Sequence, residues 1–195
     1  MTNECGNSRI AGCQFTLFPM SDDFVDVILS ALDETDTSKV WKDTDDVSTC
    51  IRGKMVHVFD VAHAIYLHAA KTGKHVAMSG TFSIGCPGDT AGHVYMDETD
   101  EPMNKKQSEG IDQEAGCKFA LYPMGTEEYM EKITEQIDLS NERGVTVTPT
   151  HYATRLDGQV NDIFRAMEEA FDKVQQVVSH VTMTFTISAN SPSNR

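Results

Sequence analysis

The chain has 195 residues and carries 30 acidic against 16 basic side chains, a formal charge of −14. That balance excludes nucleic-acid binders, whose affinity rests on cationic contacts to phosphate, and disfavours attachment to anionic membrane surfaces. No apolar run approaches the ~20 residues of a membrane span, the opening MTNECGNSRI lacks the basic-then-apolar order of a secretory signal, and five cysteines without a C-x-x-C pair indicate neither a disulfide framework nor a zinc ribbon. A cytoplasmic location is the expectation.

In chain order, GCQFTLFPM (12–20) alternates Cys13, Phe15 and Leu17 against Gln14, Thr16 and Phe18, the period of a half-buried strand. SDDFVDVILSAL follows, with Ser21 at an N-cap position and Phe24, Val27, Ile28, Ala31 and Leu32 at helical spacing. Two β-rich runs come next, KVWKD and VSTCIRG. A second helix carries the stripe Met55, Val58, Phe59, Ala62, Ile65 and Tyr66, and HVAMSGTFSIG closes the set as an alternating strand. An acidic stretch with Gly and Pro but no helical period then intervenes.

Beyond it the order repeats. GCKFALYPM (116–124) is identical to the first strand at six of nine positions. GTEEYMEKITEQI offers Thr126 as cap with Tyr129, Met130, Ile133 and Ile137 on one face; GVTVTP and HYATRLDG supply the β-rich runs. Val160, Ile163, Phe164, Met167, Ala170 and Phe171 mark another helix, and VVSHVTMTFTIS another closing strand. The expected class is therefore α+β: two tandem ferredoxin-like (βαββαβ) domains, residues 8–90 and 113–190, joined by an acidic linker, 91–112. Each antiparallel sheet carries its helices on one face. The other face is small and hydroxyl-rich (Ser79, Thr81, Ser83; Thr182, Thr184, Thr186), and is expected to pack on its twin or on a second copy.

One residue breaks the alternation in both copies. Thr49 in VSTCI falls on the apolar side with Val47 and Ile51, and Thr154 in YATRL falls with Tyr152 and Leu156. A hydroxyl left unpaired there costs about 1–3 kcal/mol, so each either bonds the backbone or points into a cavity between sheet and helices. Nothing assembles a catalytic or metal constellation. His57, His63 and His68 share a helix without i, i+4 spacing and are expected on its solvated side; Cys13 and Cys117 are expected to act as small buried hydrophobes. Asp22–Asp23 and Glu127–Glu128 occupy helix starts, the positive end that a phosphate would want.

The doubled GC-x-F-x-L-F/Y-PM strand, the segments VSTCIRGKMVHVFD and YATRLDGQVNDIFR, and the ending MSGTFSIGCPGD closely resemble the YkoF family of tandem-repeat proteins that bind thiamin and its hydroxymethylpyrimidine (HMP) half. The resemblance implies a binding protein rather than an enzyme, without cofactor or metal. It also implies one ligand site per repeat, a homodimer, and a role in thiamin-precursor salvage or uptake with a transporter as further partner. For such a ligand the pyrimidine would lie against the end of the first strand of each copy. Backbone at Leu17 and Leu121 would meet its edge, Thr49 and Thr154 would give a hydroxyl, and Phe15 and Phe119 would line the wall. Phe18 and Tyr122, which point to the opposite face, stand in second rank. The first repeat is expected to hold the cationic thiamin more tightly, since the second substitutes Lys118 for Gln14, Arg155 for Cys50, and Ala120 and Ala153 for two hydroxyls. Two other classes compete: a cofactor-free enzyme on paired ferredoxin-like units, drawing on Trp41 and the histidines, and a regulatory module sensing a small ligand through the sheet face.

Overall fold

The computed structural model describes residues 9–86, 95–124 and 144–193. The first repeat runs β1 (Ala11–Pro19), α1 (Phe24–Asp33), β2 (Trp41–Thr44), β3 (Thr49–Gly53), α2 (Met55–Ala70) and β4 (Val76–Ile84). After a single helical turn, α3 (Lys105–Ser108), the second repeat supplies β5 (Glu114–Met124), β6 (Thr146–Thr150), β7 (Ala153–Gln159), α4 (Val160–Gln175) and β8 (His180–Ala189). The GTEEYMEKITEQI segment, with Thr126, Glu127–Glu128, Tyr129, Met130, Ile133 and Ile137, lies outside the described residues, as does Cys5.

Strand alternation is realised as the sequence dictates. Cys13 and Phe15 are buried while Gln14 and Phe18 are exposed, and along β8 Val181, Met183, Phe185 and Ile187 are buried between more exposed Thr182, Thr184 and Thr186. Burial drives the Cys13 and Cys117 thiols well above their ordinary pKa, which keeps them neutral and unreactive.

All eight strands form one antiparallel sheet in the order β2-β3-β1-β4-β8-β5-β7-β6. The repeats do not stack their sheets face to face, as the hydroxyl-rich faces suggested; they join edge to edge. β4 and β8, each the outer strand of its own repeat, pair from Val76↔Ala189 to Ile84↔Val181 and satisfy each other's ladder groups. The seam is nearly self-symmetric. Their places opposite β1 and β5 make Met78 the counterpart of Met183 and Phe82 that of Ile187, and the pairs Met78↔Ile187 and Phe82↔Met183 exchange under that correspondence, about a centre at Gly80↔Phe185. On the open face the hydroxyls bond across this seam, Ser79 to Thr186 (3.0 Å) and Ser83 to Thr182 (3.4 Å).

The seam also explains a glycine. A Cβ on Gly80 would come within 2.8 Å of the Gln14 carbonyl oxygen and of the Phe15 Cβ, and within 2.9 Å of the Phe185 ring. Beneath the seam Phe59, Phe82, Phe171 and Phe185 cluster, with Phe59 and Phe82 stacked at 3.9 Å between centroids. This aromatic group takes members from both repeats and fuses their cores into one.

α1 starts later than its sequence suggests. Asp23, not Ser21, is its N-cap residue, and its carboxylate accepts a bond from Lys74 rather than capping the helix. α2 is apolar nearly all round because sheet, α1, α4 and the crossover enclose it. The crossover is tied to α2 at Asn104, although most of its described residues are exposed. Asp60 accepts bonds from the Met103 and Asn104 amides (3.0 and 3.1 Å) and from the Asn104 side chain (2.8 Å), and Asn104 is fully buried. The helix histidines follow suit, contrary to their expected solvation. His57 is wholly buried with Nε2 2.6 Å from the Thr99 carbonyl, His68 is buried, and His63 lies 2.7 Å from the Asn161 side-chain oxygen across the repeat boundary.

Candidate functional site

The end of β1 and the start of β3 lie side by side, with Phe15 paired to Thr49. Alternation turns Phe15 and Leu17 toward the helices, and α1 crosses above them. Between sheet and helix is a cavity of about 270 Å³, lined by Phe15, Leu17, Thr49, Thr44, Ile28, Leu32 and Ile65 and by the turn 45–48. That is near the small end of ligand pockets, about 300–1,000 Å³, and suits a single substituted ring.

Thr49 is the one buried polar side chain in this wall. Its hydroxyl does not bond the backbone; its oxygen lies 3.1 Å from that of Thr44, the residue opposite it across the β2–β3 hairpin. A hydroxyl donates once and accepts twice, so the pair retains capacity toward the cavity. Val47 is not on the apolar side with Thr49; it is 67% exposed, because the strand begins only at Thr49.

Sequence reasoning missed the turn. Asp45 accepts bonds from the Val47 and Ser48 amides, both at 2.8 Å, an Asx turn that tightens the hairpin. These amides, Ser48 first, hold its carboxyl below the usual carboxylate range. With Asp46 beside it, the cavity has two carboxylates in its lining and, among the described residues, no basic side chain. The signal was present as the acidic run DTDD between two β-rich segments.

In the second repeat, β5 buries Phe119 and Leu121 in the positions of Phe15 and Leu17, and Phe119 pairs with the half-buried Thr154. The counterpart of α1 lies outside the described residues. The hairpin differs chemically. Pro149 stands opposite Thr154 where Thr44 stands opposite Thr49, and Thr150 and His151 replace Asp45 and Asp46. Tyr152 does not share a face with Thr154; it is 98% exposed, in the turn, with φ of 66°. Arg155 is clasped by Asp157, Nε to Oδ2 at 2.8 Å and Nη2 to Oδ1 at 2.6 Å, so its charge is locally compensated.

Phe18 and Tyr122 lie on the other side of the sheet from Phe15, Leu17 and their counterparts in β5. Both are 48% exposed on the open face, where they help line a shallow groove of about 500 Å³ with Thr16, Lys118 and Thr184. Trp41 sits on edge strand β2, with the Arg52 guanidinium 5.4 Å above its ring. It is remote in topology from the histidines of α2. Among the described residues no cluster of three metal-ligating side chains occurs.

The YKOF-related Family matches residues 10–89 and 114–194, once for each repeat. The chain belongs to that family. A protein of Bacillus subtilis (strain 168), named "Putative HMP/thiamine-binding protein YkoF", is 51% identical over 195 residues, spanning 100% of this chain and 98% of that one. Overlaps with solved structures are partial and weak. Hypothetical protein MJ1052 from Methanocaldococcus jannascii aligns with TM-score 0.36 and 20% identity, covering 38% of this chain and 78% of that one. SP2199 from Streptococcus pneumoniae gives 0.34 and 20%, covering 38% and 83%.

Proposed function

We propose that this chain is a cytoplasmic, non-catalytic binding protein for thiamin and its HMP precursor, with one site in each repeat (8–90 and 113–190), serving salvage or uptake of the precursor. The observation that carries the reading is the small cavity under α1. It combines an apolar wall of Phe15, Leu17, Ile28 and Leu32 with the Thr44–Thr49 hydroxyl pair and two carboxylates. An aminopyrimidine has flat apolar faces and a polar edge, and the thiazolium of thiamin is cationic; wall, hydroxyls and acids match these in turn. The printed name of the Bacillus subtilis relative supports the same ligands. Phe119, Leu121 and Thr154 are the corresponding group in the second repeat, and a transporter is the partner that uptake would require.

A homodimer belongs to this reading. One face of the eight-stranded sheet is left uncovered by the described residues, and Phe18 and Tyr122 stand exposed on it. A second copy would cover both. Sedimentation of the intact chain checks this: Thr184→Glu, an exposed position on that face, should shift the protein to monomer.

Titration calorimetry with thiamin, HMP and thiamin diphosphate tests the binding. Thiamin and HMP should bind, and the diphosphate more weakly, because Asp45 and Asp46 oppose its charge. Absence of binding by both thiamin and HMP, or a diphosphate held tenfold more tightly than thiamin, would overturn the reading.

A further inference from the structure

On the far side of α2 from the cavity under α1, a second cleft of about 380 Å³ opens between α2, the crossover and α4. Its apolar wall is Val56 and Phe59 from α2, Pro102 from the crossover and Phe164 from α4. Its polar lining is acidic inside. Asp60 is already engaged by the Met103 and Asn104 amides, whereas the carboxyl of Glu168 receives no hydrogen bond among the described residues. Ser108 Oγ, on a residue only 6% exposed, is buried in the same lining without a partner among the described residues. Of the two cations there, Arg165 is held by Asp162, and Lys105 shares the lining with Glu109.

A buried hydroxyl without a partner among the described residues is costly unless something meets it, and here the half-buried Glu168 carboxyl and two aromatic side chains line the same cleft. We propose that this cleft is a second small-molecule site, which takes a compact ammonium or amidinium group carried on a flat apolar body. The cation would pair with Glu168 and donate to Ser108, and the ring would lie against Phe59 and Phe164. A neutral alcohol would satisfy only the hydroxyl, and a carboxylate would be repelled. The ligand would touch both repeats and the crossover at once, which the cavity under α1 does not do.

The test uses the full chain saturated with thiamin, titrated with benzamidine at about pH 8, where Glu168 is ionised, and followed by amide NMR. Benzamidine should perturb residues around Asp60, Ser108 and Glu168, and phenylacetate should not. Glu168→Gln should weaken benzamidine roughly tenfold or more, and Ser108→Ala by a few-fold. Glu168→Asp, which keeps the charge, should fall between wild type and Glu168→Gln. Thermal unfolding of each variant verifies that it is folded. Equal binding by wild type and Glu168→Gln, perturbations centred on β1 and β3, comparable binding of phenylacetate, or no perturbation at millimolar benzamidine would each overturn the proposal.

Discussion

Thr44 and Thr49 face each other across the β2–β3 hairpin with their hydroxyl oxygens 3.1 Å apart, and in the second repeat Pro149 occupies the place of Thr44. The two repeats thus present a threonine at the same strand position in different states of partnership. Thr49→Val should weaken HMP at the first site by about 1 kcal/mol, roughly fivefold, and should also cost about 0.5–1.5 kcal/mol of stability through the stranded Thr44 hydroxyl. Thr154→Val breaks no such pair across β6–β7, so it should weaken the second site at a smaller cost in stability. Calorimetry and urea unfolding on both variants separate the two effects. Unchanged affinity in both would remove the threonines from the sites.

The acidic turn predicts how the repeats divide the ligands. Asp45→Asn keeps an oxygen to accept the Val47 and Ser48 amides but removes the charge. Combined with Asp46→Asn, it should lower thiamin affinity of the first site by about 0.5–1 kcal/mol, an amount typical of partly exposed charge pairs, and leave HMP nearly unaffected. In wild type the first site should then exceed the second for thiamin by more than for HMP. Titrations of Thr49→Val and Thr154→Val with both ligands give the comparison. A double Asn variant that loses both ligands equally would show that the turn acts through shape alone.

Glu168 predicts a pH dependence of stability. Burial, with Asp60 and Asp172 nearby, pushes its carboxyl up to about 7. The unfolded chain titrates the same group near ~4.3. Between these values the folded state binds more protons, so the contribution is full below the unfolded pKa and is lost as pH rises through about 7. His63, Arg165, Lys105 and Glu109 also line the cleft. Wild type should lose on the order of 2–3 kcal/mol relative to Glu168→Gln between about pH 4.5 and 8. Parallel pH profiles for the two proteins would contradict it.

Gly80→Ala should destabilise by about 1–3 kcal/mol, since the new methyl meets backbone at Gln14 and side chains of Phe15 and Phe185 with no room to yield. Because Phe15 also lines the cavity under α1, thiamin affinity should fall with it. Ser79→Ala, one residue away on the open face, serves as control and should change affinity little. Thermal unfolding and calorimetry read both quantities.

The fold was legible because strand and helix periods are written twice, and the agreement of GCQFTLFPM with GCKFALYPM shows which segments correspond. The same alternation put Phe15 and Leu17 on the helix side and Phe18 on the other. Three features were not legible, each for a physical reason. The β4–β8 seam is made by backbone groups, which every residue carries. The burial of His57 and His68 follows from elements far along the chain, such as Thr99, that cover α2 from outside its own periodicity. The carboxylates of the turn looked like solvent-facing loop acids; only the path of α1 over β1 reveals that they border a cavity.

The symmetric seam centred on Gly80↔Phe185 has an evolutionary meaning as well. A solitary repeat would leave β4 as a raw edge, and the pairing that heals it is one a strand can make with its own duplicate. The fused chain therefore has the form of a twofold pair of identical units turned into one molecule, with the meeting of halves made independent of concentration. Once covalently linked, the halves no longer had to share a sequence. Selection could leave acids in one hairpin and proline and histidine in the other, giving a single gene product two hairpins free to diverge.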